Sequence, residues 1–421
     1  MSERSARRPV RVGVVGVGRG RSFMHSAAQV GMELVAICDA WESRLRETAR
    51  QFGVTGYTDY DKFLEHDMDA VVLANYFHQH APFAVKALQA GKHVMSETSA
   101  CKTLAEGVAL VRAVEQSGRI YMFAENYPYM LCCQELARLY RSGEIGEVRY
   151  AEGEYNHPMD LDSRLRIAPG LNHWRNHIPP TYYCTHALAP LMVITDTMPV
   201  SVNALSIPDT ESQAAARGVR RGDPGFCILC RMDNGAVFRL FGLGLPGHRV
   251  YYRLHGTRGM MESQGHDRVH VVHEPWDREP GEPLERTYRP DFPAHGAAAV
   301  RSGHGGGDFW TTYYFNEAIR TGVQPYLDVY RGVAMSVVGI LAWKSALANG
   351  APFEVPDFRD EAARRAYEND DWSPFPEDRR PGQPWPSILG EIVPTPETIA
   401  YARRIWAEMG YHDETADSAG A

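Results

Sequence analysis

Between residues 10 and 125 the chain alternates short β-branched runs with helix-periodic stretches, and Gly16-Val17-Gly18 closes the first run. This alternation predicts a parallel sheet wrapped by helices on both faces. Strands are expected at 10–17, 33–39, 69–74, 93–96 and 120–124, and helices up to about residue 30 and at 41–52, 59–66, 82–90 and 104–116. Glycines at the end of a first strand let the backbone approach a pyrophosphate and open a helix whose N-terminus favours negative charge. Gly13 and Gly20 flank the pair, but Arg21 stands where the third glycine of a dinucleotide fingerprint is usual. Asp39 closes the second strand 21 residues after Gly18, where an acidic side chain hydrogen-bonds a ribose diol and repels a 2′-phosphate. NAD is therefore expected over NADP, with Gly16, Gly18, Gly20 and Asp39 at the cofactor. Arg19 is read either as a phosphate contact or as a solvent-facing cap.

Beyond residue 126 the pattern changes. A helix is expected at 131–141, a strand at 147–155, and 158–180 is rich in Pro, His and Arg without clear period. Strands are predicted at 200–205, 226–232, 236–243 and 248–255, with Asn234-Gly235 as a hairpin turn. Residues 274–307 read as loop, and helices follow at 308–321, 329–348 and 395–409 before a frayed tail. The expected organisation is a doubly wound Rossmann domain (1–125), an α+β domain with an open-faced antiparallel sheet (126–360) and a C-terminal extension (361–421).

Composition narrows the class. Net charge is −8, which gives no general reason to expect nucleic acid or an anionic membrane as partner. No run approaches the roughly 18 apolar residues of a membrane span. Arg7-Arg8 has the look of a twin-arginine signal, but the apolar stretch after it is too short and glycine-broken, so a cytoplasmic location is expected. The seven scattered cysteines fit reduced thiols, and Cys227 and Cys230 should point to opposite faces of one strand.

His80, Ala84, Ala87-Leu88, the run Ala90-Gly91-Lys92-His93-Val94 and Glu97 resemble the glucose–fructose oxidoreductase / inositol dehydrogenase (Gfo/Idh/MocA) family across the whole first domain. The resemblance implies Asn75, His80 and Glu97 as further cofactor residues and a homo-oligomer formed through the open sheet. One departure matters. The family carries Glu-Lys-Pro where this chain has Glu97-Thr98-Ser99, and threonine cannot replace a lysine in proton transfer. A branch that also lacks this lysine is the NAD-dependent glycosidases of glycoside hydrolase family 109. Glu125-Asn126-Tyr127, Tyr155-Asn156-His157, Trp174-Arg175, the segment 183–190 and Gly303-His304-Gly305-Gly306-Gly307-Asp308-Phe309 are similar to elements of that branch, with Cys184, Ala187, Ala189 and Gly307 as departures.

That resemblance implies hydrolysis by transient oxidation. Hydride leaves sugar C3, the ketone acidifies C2–H, a base removes that proton, the C1 substituent leaves, water adds and hydride returns. Glu125, Tyr155, Tyr183 and His186 are the catalytic candidates, with His157, Trp174, Arg175, His304 and Asp308 binding a carbohydrate or glycoside substrate. Each has a plainer alternative: a satisfied carboxylate at Glu125, a core histidine at His186, packing tyrosines at 155 and 183, a loop anchor at Trp174 and an N-cap at Asp308. A net NAD-dependent sugar dehydrogenase is the alternative enzyme, and a non-catalytic nucleotide-bound sensor a third. His157, His173, His177 and His186 with Glu125 could also hold a divalent ion, but no Glu lies beside His173 and prolines follow His177, so no metal is assigned.

Overall fold

The computed structural model describes residues 8–413 apart from 279, 282, 292 and 293, and omits the side chains of 214 and 215. Arg7 of the Arg7-Arg8 pair and the expected frayed tail beyond 413 lie outside these residues.

Six strands build the first sheet: β1 (Val10–Val15), β2 (Met32–Cys38), β3 (Thr55–Tyr57), β4 (Ala70–Leu73), β5 (His93–Ser96) and β6 (Tyr121–Phe123). Their order is β3-β2-β1-β4-β5-β6, and all neighbours run parallel. The order reverses between β1 and β4, which opens the crevice where such sheets take a dinucleotide. β4 is buried at every residue, as a central parallel strand covered on both faces must be. The three-residue β3, with a glycine at its centre, carries no periodic signal and escaped the sequence pattern.

The second sheet comprises β7 (Val148–Asn156), β8 (Pro199–Ile207), β9 (Gly225–Met232), β10 (Val237–Leu243), β11 (Arg249–Gly256), β12 (Gly259–Gln264), β13 (Arg268–His273), β14 (Glu285–Tyr288) and β15 (Phe353–Glu354). It is ordered β14-β13-β12-β11-β7-β10-β9-β8-β15. β9 and β10 form the predicted hairpin, with Gly235 at positive φ in its turn. The expected purely antiparallel sheet needs one correction, because β7 and β10 pair in parallel. The chain leaves the end of β7 and returns to its start through a long excursion, and only a crossover of that kind allows parallel neighbours. Within the expected loop 274–307 stand β14 and a short helix, Gly296–Ala299. The stretch 158–180 holds a helix, Leu161–Ile167, whose N-cap Asp160 accepts a hydrogen bond from the Ser163 amide.

Helices Thr185–Thr195 and Val329–Leu347 are apolar on nearly every face, since both are sandwiched between the sheets and their neighbours. A large core runs through both sheets, and a small separate one joins Leu165, Val219, Ala402, Ile405 and Trp406. Cys230 is buried and Cys227 half-buried, both as free thiols. Among the described residues no helix is long and apolar enough to cross a membrane.

Candidate active site

The glycine-rich turn after β1 is a cradle in which a side chain has no room. A Cβ at Gly16, whose φ is 92°, would come within 2.3 Å of the Ala74 carbonyl oxygen, and one at Gly20 within 2.2 Å of the Gly16 oxygen. Gly20 thus supplies the tight helix–strand packing that the missing third glycine usually gives. Around Gly18, by contrast, nothing lies within 4 Å of the Cβ position, so its face is open. The Asp39 carboxylate accepts hydrogen bonds from the amides of Val17 (2.7 Å) and Trp41 (2.8 Å), which hold it beside the turn. At the end of β4 the Asn75 side-chain oxygen is buried without a partner. An open glycine face, a positioned carboxylate and an orphaned amide oxygen fit the pyrophosphate and ribose of a dinucleotide.

Two cofactor candidates are held by the protein's own groups. Arg19 faces two carboxylates. Its Nε lies 2.6 Å from Glu97 Oε1, and its Nη atoms form a two-pronged pair with Asp308 at 2.7 and 2.8 Å. His80 is fully buried, with Nδ1 2.9 Å from the Ser99 carbonyl and Nε2 3.3 Å from that of Asn75, so it ties together the loops after β4 and β5. Burial lowers its pKa.

Asp308 is not the N-cap of helix Gly307–Thr321, where Gly306 stands with no side-chain cap. Instead its carboxylate, 1% exposed, also accepts from the Asn126 amide (2.9 Å) and lies 3.0 Å from His304 Nδ1. Burial pushes this carboxyl up, but His304 and Arg19 outweigh it and hold it far below the usual carboxylate range.

Beside this network the second half of the chain gathers its aromatic and titratable groups. Glu125, wholly buried at the end of β6, receives His186 Nδ1 at 2.7 and 2.9 Å. His186 sits in the first turn of helix Thr185–Thr195, which approaches β7 at Gly153, where a Cβ would come within 2.0 Å of the Ala187 carbonyl oxygen. The ring of Tyr155 packs edge-on to His186 at 4.6 Å and that of Tyr183 at 5.1 Å. Trp174 stacks on Tyr183 at 6.3 Å, and the Arg175 guanidinium lies 4.3 Å from the Trp174 ring with Nη1 donating to the Tyr183 hydroxyl at 3.4 Å. His157 stacks on Tyr155 at 6.0 Å, its Nδ1 buried without a partner. Burial, with Tyr183 and Tyr127 nearby, pushes the Tyr155 phenol up, while burial and the surrounding imidazoles lower His157.

Sequence reasoning passed over Tyr127, whose ring lies 4.5 Å from His186 and 5.2 Å from Tyr155, and Asn126, which holds Asp308. Both stand in the same short motif as Glu125, which was their only signal. His173 and His177 are engaged by backbone groups: His173 Nδ1 accepts from the Arg175 amide, and His177 Nε2 lies 3.0 Å from the Leu171 carbonyl. Burial lowers both, His177 to about 4. Among the described residues no group of three or more His, Cys, Asp or Glu side chains is arranged to hold a metal ion.

Comparison with known proteins gives this geometry a family. Residues 10–125 match the family model described as "Oxidoreductase family, NAD-binding Rossmann fold", and 230–364 that of "Glycosyl hydrolase 109, C-terminal domain". The chain is 28% identical over 391 residues to a glycosyl hydrolase family 109 protein of Solibacter usitatus, covering 83% of this chain and 88% of that one. It is 27% identical over 387 residues to another from Saccharopolyspora erythraea, covering 84% of each. In fold it is similar to levoglucosan dehydrogenase in complex with NADH and L-sorbose, with a TM-score of 0.71 at 20% identity over 83% of this chain and 100% of that one. The myo-inositol 2-dehydrogenase of Lactobacillus plantarum gives 0.63 at 19% identity, over 82% and 99%. Residues 10–125 therefore carry the NAD-binding Rossmann domain of the Gfo/Idh/MocA oxidoreductases, the chain as a whole is similar to the glycosyl hydrolase family 109 proteins, and it is an NAD-dependent enzyme.

Proposed function

We propose that this enzyme is a glycosidase that cleaves a sugar glycoside by transient oxidation at C3, elimination across C2–C1, water addition and re-reduction. The observation that carries it is the buried Glu125–His186 pair with Tyr155 packed against its imidazole. NAD, which Gly16, Gly18, Asp39 and Asn75 would hold, would supply the redox chemistry, hydride acceptance from C3 and its return.

The protein's own groups handle the protons. Glu125 has no exposed surface, so it orients His186 instead of touching the leaving group. With Nδ1–H donated to Glu125, Nε2 is left as the acceptor for the C3 hydroxyl proton, a task lysine performs in dehydrogenases of the family and Thr98 cannot. Tyr155 takes the C2 proton. A phenol pushed up by burial is a strong base once ionised, and Arg175 works in the opposite direction to ease that ionisation. Loss of the C2 proton expels the C1 substituent as an alkoxide; water then adds its hydroxyl to C1 of the resulting double bond and gives its other proton to that alkoxide, while Tyr155, after exchange with solvent, returns a proton to C2. Trp174 and Tyr183 offer a stacked aromatic wall to the pyranose ring, with Arg175, His157 and His304 around it. Gly16, Gly18, Asp39 and Asn75 would hold the nucleotide, with Gly20, His80, Glu97 and Arg19 shaping its surroundings. In this scheme residues 1–125 bind the cofactor, 126–360 carry the substrate groups and a homo-oligomer contact on the open sheet, and 361–421 form an extension.

A panel of nitrophenyl glycosides in heavy water tests the proposal. Cleavage without net NADH, and with deuterium at C2 of the product, is expected. Product unlabelled at C2 would sink the elimination route. Net NADH from free sugar would favour a sugar dehydrogenase, the alternative that the dehydrogenase neighbours in fold support.

A further inference from the structure

The family models end at residue 364, yet the chain continues through helix Pro396–Glu408 to Tyr411, which meets Trp41 just past the end of β2. The helix is anchored in the small core, where Trp406 is fully buried and its Nε1 donates to the Leu165 carbonyl at 2.9 Å. Past the helix, the Tyr411 amide donates to the Trp406 carbonyl at 3.0 Å and turns the ring inward. That ring meets Trp41 edge-on at 5.3 Å, two residues beyond Asp39. Its hydroxyl lies 2.7 Å from the Cβ position of Gly170, whose φ of 100° favours glycine. The Asp413 carboxylate then accepts from the Leu171 amide at 2.9 Å.

A second contact closes the same region. Tyr76, in the loop after β4, packs edge-on against His173 at 4.8 Å. Burial, then the charges of Tyr411 and Asp39, push the Tyr76 phenol up to about 12. The loops after β2 and β4 are the two that flank the adenosine of a dinucleotide in a sheet of this order. Trp41 and Tyr76 stand on these two loops, and Tyr411 meets Trp41 there. Gly170 is also the root of the segment that carries His173, Trp174 and Arg175.

We propose that Tyr411, presented by the C-terminal helix, forms the outer wall of the adenosine end of the nucleotide site and retains NAD between turnovers. The proposal rests on NAD lying with its adenosine ribose at Asp39. A cofactor returned unchanged at the end of each cycle has no need to leave, and a wall supplied by a distant part of the chain slows its escape.

The test loads the full-length protein with NAD, chases it with excess ADP-ribose and samples the released NAD. Tyr411→Ala should release it about tenfold faster, on the scale of one lost aromatic contact. Affinity for nicotinamide mononucleotide, which lacks the adenosine, should stay within twofold. A chain ended at residue 409, which keeps Trp406 and its core, should behave like Tyr411→Ala. Unchanged release from folded Tyr411→Ala would overturn the wall, as would equal weakening of both ligands, which marks general loosening. A wild-type protein that retains neither NAD nor ADP-ribose would overturn the nucleotide site itself.

Discussion

His186 owes its orientation to a carboxylate that solvent never reaches. Glu125 faces Nδ1 through both oxygens, and the Tyr252 hydroxyl donates to the His186 carbonyl at 2.8 Å, so ring and backbone are both fixed. Glu125→Gln keeps the shape but removes the charge that stabilises a protonated imidazole. Turnover should fall about 10²- to 10³-fold with NAD affinity unchanged, in the range typical of positioned acid–base groups, and steady-state rates beside NAD titrations check it. Tyr155→Phe should separate two steps: single-turnover NADH formation survives, while deuterium exchange at C2 is lost. Equal loss of both would remove Tyr155 from the C2 position. At the ribose, Asp39→Ala should weaken NAD by about tenfold and relax the preference over NADP. An unchanged ratio of the two affinities would exclude Asp39 from that contact. Types and order of these residues were legible in the sequence. Their contacts were not, because Glu125 and His186 lie 61 positions apart and meet only when the helix settles on β7.

At the scale of elements, helix Gly307–Thr321 is pinned to the turn after β1 by Arg19. The guanidinium serves Glu97 and Asp308 at once, and removing it leaves two carboxylates poorly compensated. Arg19→Ala should destabilise the fold by about 3 to 5 kcal/mol, read by denaturant unfolding. Helix Leu104–Ser117 starts with a reciprocal cap: Thr103 Oγ1 accepts from the Glu106 amide, and Glu106 accepts from the Lys102 amide at 2.9 Å. Burial raises the Glu106 pKa to about 7 despite Lys102, from an ordinary value of 4.5. A carboxyl raised on folding contributes stability that is fully present below about 4.5 and lost as pH rises through about 7. Glu106→Gln, which cannot ionise, should therefore gain on the wild type between pH 5 and pH 8 by on the order of 2 kcal/mol. Parallel stability curves would remove Glu106 as the cause. The helix limits were largely visible from periodicity and the glycines after them. Short strands such as β3 and β14 were not, since three or four residues hold too few alternations to register.

For the molecule as a whole, the open face of the second sheet presents Leu205 (58% exposed) on β8 and Leu229 (44%) on β9. Apolar residues on an open sheet favour a second copy as cover. The protein should sediment as a homo-oligomer, and Leu229→Glu should shift it to smaller species. A monomeric wild type at micromolar concentration would exclude that contact. The sequence by itself determined the doubly wound first sheet, the NAD cofactor and the set of candidate groups. These depend on local periodicity, turn chemistry and residue type, which one stretch of chain expresses alone. Only the tertiary structure decided that Arg19 pairs with Glu97 and Asp308, that Asp308 ties a network instead of capping a helix, that β7 and β10 run parallel, and that Tyr411 returns to Trp41. Each of these is a pairing between distant segments, and burial and charge compensation choose such partners after the chain has packed.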